Sequence, residues 1–341
     1  MKVRAKAPLR LGLAGGGTDI EHYANKFGGV VLNATINMYA HCTLEDTTDQ
    51  KVTFVAKDRD MVESFDLNDV LSSDAKLILH MGVYKRIIKD FCNNEPRPLR
   101  ITTYADAPVG SGLGTSSSVV VVMLKAFVEL LKLPLGEYDI AHLAYDIERR
   151  DCMLAGGKQD QYAATFGGFN FIEFYKDDRV IVNPLRIRQW LKDELEESLV
   201  LFFTGQSRES AKIIDEQIKS TQQDGNKNLE GLHELKESAY RMKEALLKGD
   251  IDGMVRELAK GWEAKKKTAS VISNPMIEEV YETAIKHGAK AGKISGAGGG
   301  GFMMFIVDPL KKIDVIRALK AFDGNVVQVE FVDKGMKGWY I

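Results

Sequence analysis

The stretch Pro108-Val109-Gly110-Ser111-Gly112-Leu113-Gly114-Thr115-Ser116-Ser117-Ser118 runs directly into the apolar residues 119–124. Glycines at 110, 112 and 114 remove side chains where a backbone must close around something. The apolar run predicts a helix, with the hydroxyls of residues 115–118 at its start. A helix N-terminus presents unpaired N–H groups and the positive end of a dipole, which suits a phosphate chain. Hydroxyl oxygens there can also ligate magnesium.

Several phosphate-binding patterns are excluded. A Walker-type loop ends in Gly-Lys-Ser/Thr, but Thr115 follows Gly114 and no lysine appears before Lys125. The dinucleotide fingerprint needs a third glycine where Thr115 stands. Protein kinases need a His-Arg-Asp catalytic loop, and none occurs. Taken alone, the loop also reads as a glycine-rich turn capped by serines at the head of a buried helix.

Two other segments add to it. Pro8-Leu9-Arg10 precedes Gly15-Gly16-Gly17-Thr18-Asp19, and Lys293-Ile294-Ser295-Gly296-Ala297-Gly298-Gly299-Gly300-Gly301 precedes the strand-like residues 302–307. Three glycine-dense segments in this order resemble the motifs of the GHMP kinases, the family of galactokinase, homoserine kinase, mevalonate kinase and phosphomevalonate kinase. The resemblance spans nearly the whole chain. It implies an α+β protein of two domains, a ribosomal-protein-S5-like N-terminal domain and a ferredoxin-like C-terminal domain, with the active site in the cleft between them.

Composition agrees with a two-domain globular chain: 341 residues, 45% hydrophobic and 28% charged. With 46 basic and 48 acidic side chains, nothing pulls it toward nucleic acid or an anionic membrane. The run Lys265-Lys266-Lys267 reads as a solvated helix face. Three well-separated cysteines, Cys42, Cys92 and Cys152, form no C-x-x-C pair and suit the reduced thiols of a cytoplasm. No apolar stretch approaches the ~20 residues of a membrane span. Glycines interrupt residues 9–17, so no signal peptide is expected. Monomer and homodimer both remain open.

Along the chain, residues 2–13 predict a strand, and Thr18-Asp19 can cap a helix through Ala24. Residues 30–44 and 51–65 alternate as strands and suggest a meander. Helical spacing covers 74–91, a strand 99–104, and helices about 135–152 and 160–166. A hairpin is expected over 168–174 and 179–184, and a strand over 199–204. Residues 211–287 read as largely helical, with strands at 301–307 and 325–331. The domain boundary is placed at Ser198, giving an ATP-binding unit 1–197 and a C-terminal unit 198–341.

The resemblance assigns roles that phosphoryl transfer needs. It implies ATP on Pro108, Gly110, Ser111, Gly112, Leu113, Gly114, Thr115, Ser116 and Ser117, and Mg2+ on Ser116 and Glu148. Asp160, in Gly156-Gly157-Lys158-Gln159-Asp160-Gln161-Tyr162, matches the catalytic base, and Arg10 the arginine that faces it. On its own, Asp160 after a glycine turn also reads as an N-cap. Gly16, Gly17, Thr18, Asp19, Gly298 and Gly299 are implied to hold the acceptor, with Asp19 gripping sugar hydroxyls. Galactokinases have Gly-Glu-His-Thr-Asp where this chain has Gly-Gly-Gly-Thr-Asp, so two galactose contacts are missing. That form, with Gly-Gly-x-Gln-Asp-Gln-Tyr-Ala and Thr204-Gly205-x-x-Arg208, is similar to the branch acting on D-glycero-D-manno-heptose 7-phosphate at its anomeric hydroxyl. The kinase domain of L-fucokinase shares much of it, and a silent sugar sensor would have lost catalytic side chains that are present here. A 7-phosphate needs a cationic pocket, and spacing leaves open whether Lys158, Arg208 or Lys293 faces it.

Overall fold

A computed structural model describes residues 1–205, 214 and 227–341. The strands β1 (Lys2–Ala14), β2 (Gly29–Asp46), β3 (Lys51–Ala56), β4 (Met61–Asp66), β5 (Leu99–Ala105), β6 (Phe169–Phe174) and β7 (Val180–Pro184) belong to one sheet. A second sheet holds β8 (Leu199–Phe203), β9 (Ala289–Ile294), β10 (Phe302–Val307) and β11 (Asn325–Val327). A last strand, β12 (Lys337–Tyr340), returns to the first sheet and pairs with β1.

The first sheet runs β12-β1-β2-β5-β3-β4, with β6 on β2 and β7 on β6. The long strand β2 makes this branching possible. Its start pairs with β6 and its end with β5, while β1 lies along its other side. The meander expected over 30–44 and 51–65 is therefore corrected. β5 lies between β2 and β3 and runs parallel to β3. Residues 51–65 form two strands, turned by the polar residues Lys57-Asp58-Arg59-Asp60, with Asp60 left-handed at φ 50. Alternation reports which residues share a pleat face, not which strand lies alongside.

The second sheet has the order β11-β8-β10-β9 with every pairing antiparallel. Helices between β8 and β9 and between β10 and β11 make it ferredoxin-like. Strand β9 was not expected, because Ala289-Lys290-Ala291-Gly292-Lys293-Ile294 lacks β-branched character except at its end. β11 stops at Val327, and Phe331 instead bridges to Ile36 of β2.

The helices are α1 (Glu21–Phe27), α2 (Ile78–Phe91), α3 (Thr115–Leu131), α4 (Glu137–Asp146), α5 (Gln159–Phe166), α6 (Gln189–Ser198), α7 (Lys227–Lys248), α8 (Ile251–Thr268), α9 (Pro275–Lys286) and α10 (Lys312–Leu319). α3 is apolar nearly all round and is accordingly buried, as a helix without a polar face must be. The charged stretch 192–197 proved helical: Leu191, Leu195 and Ser198 line the inner side of α6. Asp19 does not cap α1, which starts after Ile20 without a side-chain cap. Of the expected helical region 211–287, residues 211–213 and 215–226 lie outside the described residues.

One apolar cluster joins the two sheets. Leu9 and Leu11 of β1 and Val120 of α3 share it with Met254 and Leu258 of α8, Ala291 of β9 and Met304 of β10. A continuous core fixes the cleft above it, since close-packed interiors yield little.

The β6–β7 hairpin also reaches the helices. Asp178 at its tip accepts hydrogen bonds from Lys158, just before α5, and from Arg150. Lys158 is 1% exposed, and its ammonium lies 5.0 Å from the Tyr145 ring centroid. Asp178 sits at φ 56, a region asparagine tolerates, so Asp178→Asn removes the charge without bending the turn. That variant leaves the Lys158 ammonium buried without an anion and should lose roughly 3 kcal/mol in urea unfolding. Burial pushes the Asp178 carboxyl up, but Lys158 and Arg150 outweigh it and hold it below its ordinary value. Its contribution is thus complete above the ordinary carboxylate range and fades as pH falls through the depressed value. The gap between wild type and variant should narrow in acid; a gap independent of pH would contradict the pairing.

Candidate active site

The glycine segments 108–118 and 293–301 meet backbone to backbone. Gly112 has φ 82, and a Cβ there would lie 2.1 Å from Ser295 O. The Phe302 N–H donates to Ser111 O at 2.8 Å, and the Arg10 N–H to Leu113 O at 3.1 Å. The hydroxyls at the start of α3 do not cap it. Thr115 Oγ1 is 3.2 Å from Ser111 Oγ, while Ser116 Oγ and Ser117 Oγ donate to Glu148 Oε1 and Oε2 at 2.9 and 2.6 Å. The N–H groups of the first turn, which have no partners within the helix, therefore stand beside a cavity lined by Thr115 and Ser116.

Glu148 lies on a π-helical turn that continues α4, closed by a Cys152 N–H to Ile147 O bond of 2.8 Å. Such wide turns re-aim one side chain out of an α-helical register and frequently mark functional sites. The carboxylate is buried and also takes Gln161 Nε2 at 2.7 Å and Arg149 Nη1 at 3.3 Å.

Strand β1 carries register shifts at Pro8/Leu9 and Gly12/Ala14, on either side of Arg10. Bulges of this kind turn a side chain out of the regular pleat. Arg10 Nε and Nη2 both reach Asp160 Oδ1 at 2.7 Å, and Nη1 donates to Gly112 O and to Ser295 Oγ. Asp160 is in the first turn of α5 but makes no cap; its carboxylate goes to Arg10 and into the cavity. Oδ2 carries no hydrogen bond among the described residues.

Asp19 is 2% exposed yet lines the cavity. It accepts from Gly17 N and Gln159 N at 3.1 Å each, and from Gln159 Nε2 at 3.3 Å. Gln159, next to Asp160, therefore helps to fix Asp19. Thr18 does not line the cavity: its hydroxyl is tied to Gly15 O, Val30 O and Val30 N at 2.7–3.0 Å. Gly16 and Gly17 line it, whereas Gly298 and Gly299 pack on Ile272, with a Gly299 N to Ile272 O bond of 2.8 Å. The third segment faces the cavity through Gly296 and Ala297. Ser111, Leu113 and Ser117 are fully buried beneath the loop.

The cavity measures about 560 Å³. One end is walled by Val109 and Val119, from the loop and the helix behind it, and by Leu77, Leu79, His80 and Thr103, which no motif announced. His80 Nε2 is 2.8 Å from Thr103 Oγ1, and burial pushes the imidazole down to about 4, so it is neutral at physiological pH. Toward Asp19 stands Lys265, whose Nζ donates to Gly16 O at 3.2 Å. The solvated reading of residues 265–267 holds for Lys267, which pairs with exposed Glu234, but fails for Lys265. Its place one helical turn beyond Leu258 and Trp262 on the apolar stripe was the signal. Lys158 is withdrawn from the candidates for a substrate phosphate, being buried against Asp178. Arg208 lies outside the described residues.

Residues 79–168 match the family model of the GHMP kinases N terminal domain, and residues 242–324 that of the GHMP kinases C terminal. The chain is 50% identical over 339 residues to the D-glycero-alpha-D-manno-heptose 7-phosphate kinase of Campylobacter jejuni, covering 99% of each chain. It resembles the crystal structure of a D-glycero-D-manno-heptose 1-phosphate kinase from Bacteroides thetaiotaomicron, with TM-score 0.84, 47% identity and 99% of both chains covered. The bifunctional fucokinase/GDP-fucose pyrophosphorylase of Arabidopsis thaliana is 25% identical over 93% of this chain but only 31% of its own.

A Cβ on Gly157 would lie 1.9 Å from Asp19 Oδ2, whereas one on Gly12 meets nothing nearer than Gln159 Oε1 at 3.8 Å. Gly157→Ala should therefore cost about 1–3 kcal/mol by overpacking, and Gly12→Ala far less. Equal shifts in melting temperature for the two variants would contradict the Asp19–Gly157 contact.

Proposed function

This chain belongs to the GHMP kinase family, and we propose that it is an ATP-dependent sugar kinase acting on the anomeric hydroxyl of D-glycero-D-manno-heptose 7-phosphate. The product is the 1,7-bisphosphate, which would feed nucleotide-activated heptose into surface-polysaccharide synthesis. The observation that carries this reading is the Arg10–Asp160 pair at the meeting of the three glycine segments, with one carboxylate oxygen held and the other unclaimed. Identity of 50% over 99% of the chain to a heptose 7-phosphate kinase supports the acceptor.

In this reading the triphosphate lies on the loop 110–116 and the N-terminus of α3, where N–H groups meet its negative charge. The adenine fits the apolar end walled by Leu77, Leu79, Val109 and Val119. A hydroxyl and a carboxylate 2.9 Å apart, Ser116 and Glu148, suit a cation that takes few protein oxygens, so they would hold Mg2+. That ion supplies charge neutralisation along the triphosphate. The acceptor sits toward Gly16, Gly17 and Asp19, whose carboxylate can still accept from sugar hydroxyls.

Asp160 Oδ2 takes the proton of the anomeric hydroxyl as its oxygen attacks the γ-phosphorus and the bond to ADP breaks. Arg10 fixes that carboxylate and meets charge on the transferred group. The division at Ser198, with ATP carried by residues 1–197, and a cytoplasmic location where ATP is abundant belong to the same proposal. An L-fucokinase-like activity is less well supported, since that relative is half as similar. A silent sensor is disfavoured by the presence of Arg10, Ser116, Glu148 and Asp160 together.

Asp160→Asn keeps the size of the side chain but cannot take a proton at neutral pH. Turnover should fall ~10²–10⁴-fold while ATP binding survives, and the melting temperature should fall as well, because the buried Arg10 charge loses its anion. Near-normal turnover would remove Asp160 from the mechanism. The acceptor is tested by ADP release with heptose 7-phosphate, heptose 1-phosphate, unphosphorylated heptose, fucose, galactose and mannose. Heptose 7-phosphate should give the highest kcat/KM; preference for any other member overturns the assignment.

A further inference from the structure

Lys265 lines the acceptor end of the cleft, and Lys293 lies behind it, near enough to feel the charges of Lys265 and Arg10; among the described residues neither has an anion of its own. Lys265 is 7% exposed, lines the cavity beside Gly16 and Asp19, and uses one of its three donors on Gly16 O. Lys293 projects from β9 on the same face as Ala291 and opposite Met304, both members of the core shared with β1. Among the described residues Lys265 makes no ion pair, and Lys293 makes neither a hydrogen bond nor an ion pair. The nearby carboxylates are already engaged, Asp160 by Arg10 and Asp19 by the backbone of Gly17 and Gln159.

We infer that Lys265 and Lys293 form a phosphate subsite that receives the phosphate the acceptor already carries, distant from the hydroxyl under attack. This rests on the sugar-phosphate reading above and assigns its cationic pocket. The ligand chemistry follows from the donors. Compact ammonium groups suit a dianion as point charges, and a phosphate brings several acceptor oxygens at once. The nucleotide's own phosphates have separate partners in the loop 110–116, whereas Lys265 contacts the first glycine segment.

The electrostatics point the same way. Burial lowers Lys265 to about 8; Asp19 acts against that and Arg10 with it. Lys293 is lowered to about 7 by burial, with Lys265 and then Arg10 adding to it. Three cations crowded into one cleft repel one another, and a bound dianion removes that repulsion.

The test compares kcat/KM on heptose 7-phosphate and on unphosphorylated heptose for wild type, Lys265→Met, Lys293→Met and Lys293→Arg. Melting temperature and KM for ATP are followed alongside. Each Met variant should lose about tenfold to a hundredfold on the phosphorylated acceptor, chiefly in KM, and much less on the other. Lys293→Arg should recover part of the preference. Equal losses on both acceptors would mean the lysines serve the transferred group or the fold, and would overturn the inference. So would a preference that survives in both Met variants. A wild type indifferent to the 7-phosphate overturns the sugar-phosphate reading itself. The wild-type enzyme gives a check that needs no variant. From pH 7 to 9 the lysines discharge, so kcat/KM for heptose 7-phosphate should fall faster than for heptose; parallel profiles would count against the subsite.

Discussion

The Arg10 guanidinium is the interaction on which the cleft depends. From one strand it reaches Asp160 in α5, the Gly112 carbonyl in the loop before α3, and Ser295 in the loop between β9 and β10. Those partners come from both sheets' connecting segments. A planar group with five fixed donors can serve so many acceptors; an ammonium could not hold the same geometry. Because the side chain is only 5% exposed, the charge is held by this set of partners rather than by water. Losing any one of them would leave a buried charge or carbonyl unpaired, so the four segments are fixed together or not at all.

That convergence explains where glycine is required. Segments drawn together around one side chain have no room for their own. Gly112 and Ser295, and likewise Gly157 and Asp19, approach more closely than any Cβ permits. Glycine at these positions serves long-range contact rather than local flexibility. Where the glycine segments line the cavity, they offer backbone groups and short hydroxyls, a rigid part of the lining that costs little side-chain entropy when a ligand arrives.

Much of this was legible in the sequence where chemistry is local. The glycine loop, the helix behind it and the hairpin over 168–184 follow from spacing and turn residues. Arg10 and Asp160 came from the resemblance, and only the structure brings them within 2.7 Å of each other. What escaped was set by neighbours distant in the chain. The insertion of β5 beside β3, the return of β12 to β1 and the weakly patterned β9 depend on which edge was free, information no strand carries in itself. Lys158 and Lys265 show the same limit in charge. Lys158 read as a candidate for a substrate phosphate and Lys265 as part of a solvated face, yet one is buried against a hairpin tip and the other against a glycine carbonyl. A charged residue on an apolar helical stripe, as at Lys265, is the local clue that such a reversal leaves behind.

The nucleotide and acceptor ends of the cavity carry different charged groups, and that difference suits two ligands that are both anions. Beside the phosphate loop the protein places a buried carboxylate, Glu148, which would repel a bare triphosphate. Such a group is compatible with a nucleotide only if the nucleotide arrives with its own cation, as proposed for Mg2+. At the other end Lys265, with Lys293 behind it, makes no ion pair among the described residues, and an acceptor phosphate bound as inferred above needs no metal there. Arg10 lies between them, bound to Asp160, where negative charge moves from one ligand to the other during transfer. A sugar phosphate placed at the nucleotide end would meet Glu148 without a cation, and a metal–nucleotide complex at the acceptor end would bring its cation against two lysines. On the proposed placement of Mg2+ and of the acceptor phosphate, electrostatics favours one orientation of the pair, before any contact with the sugar ring or the adenine is counted.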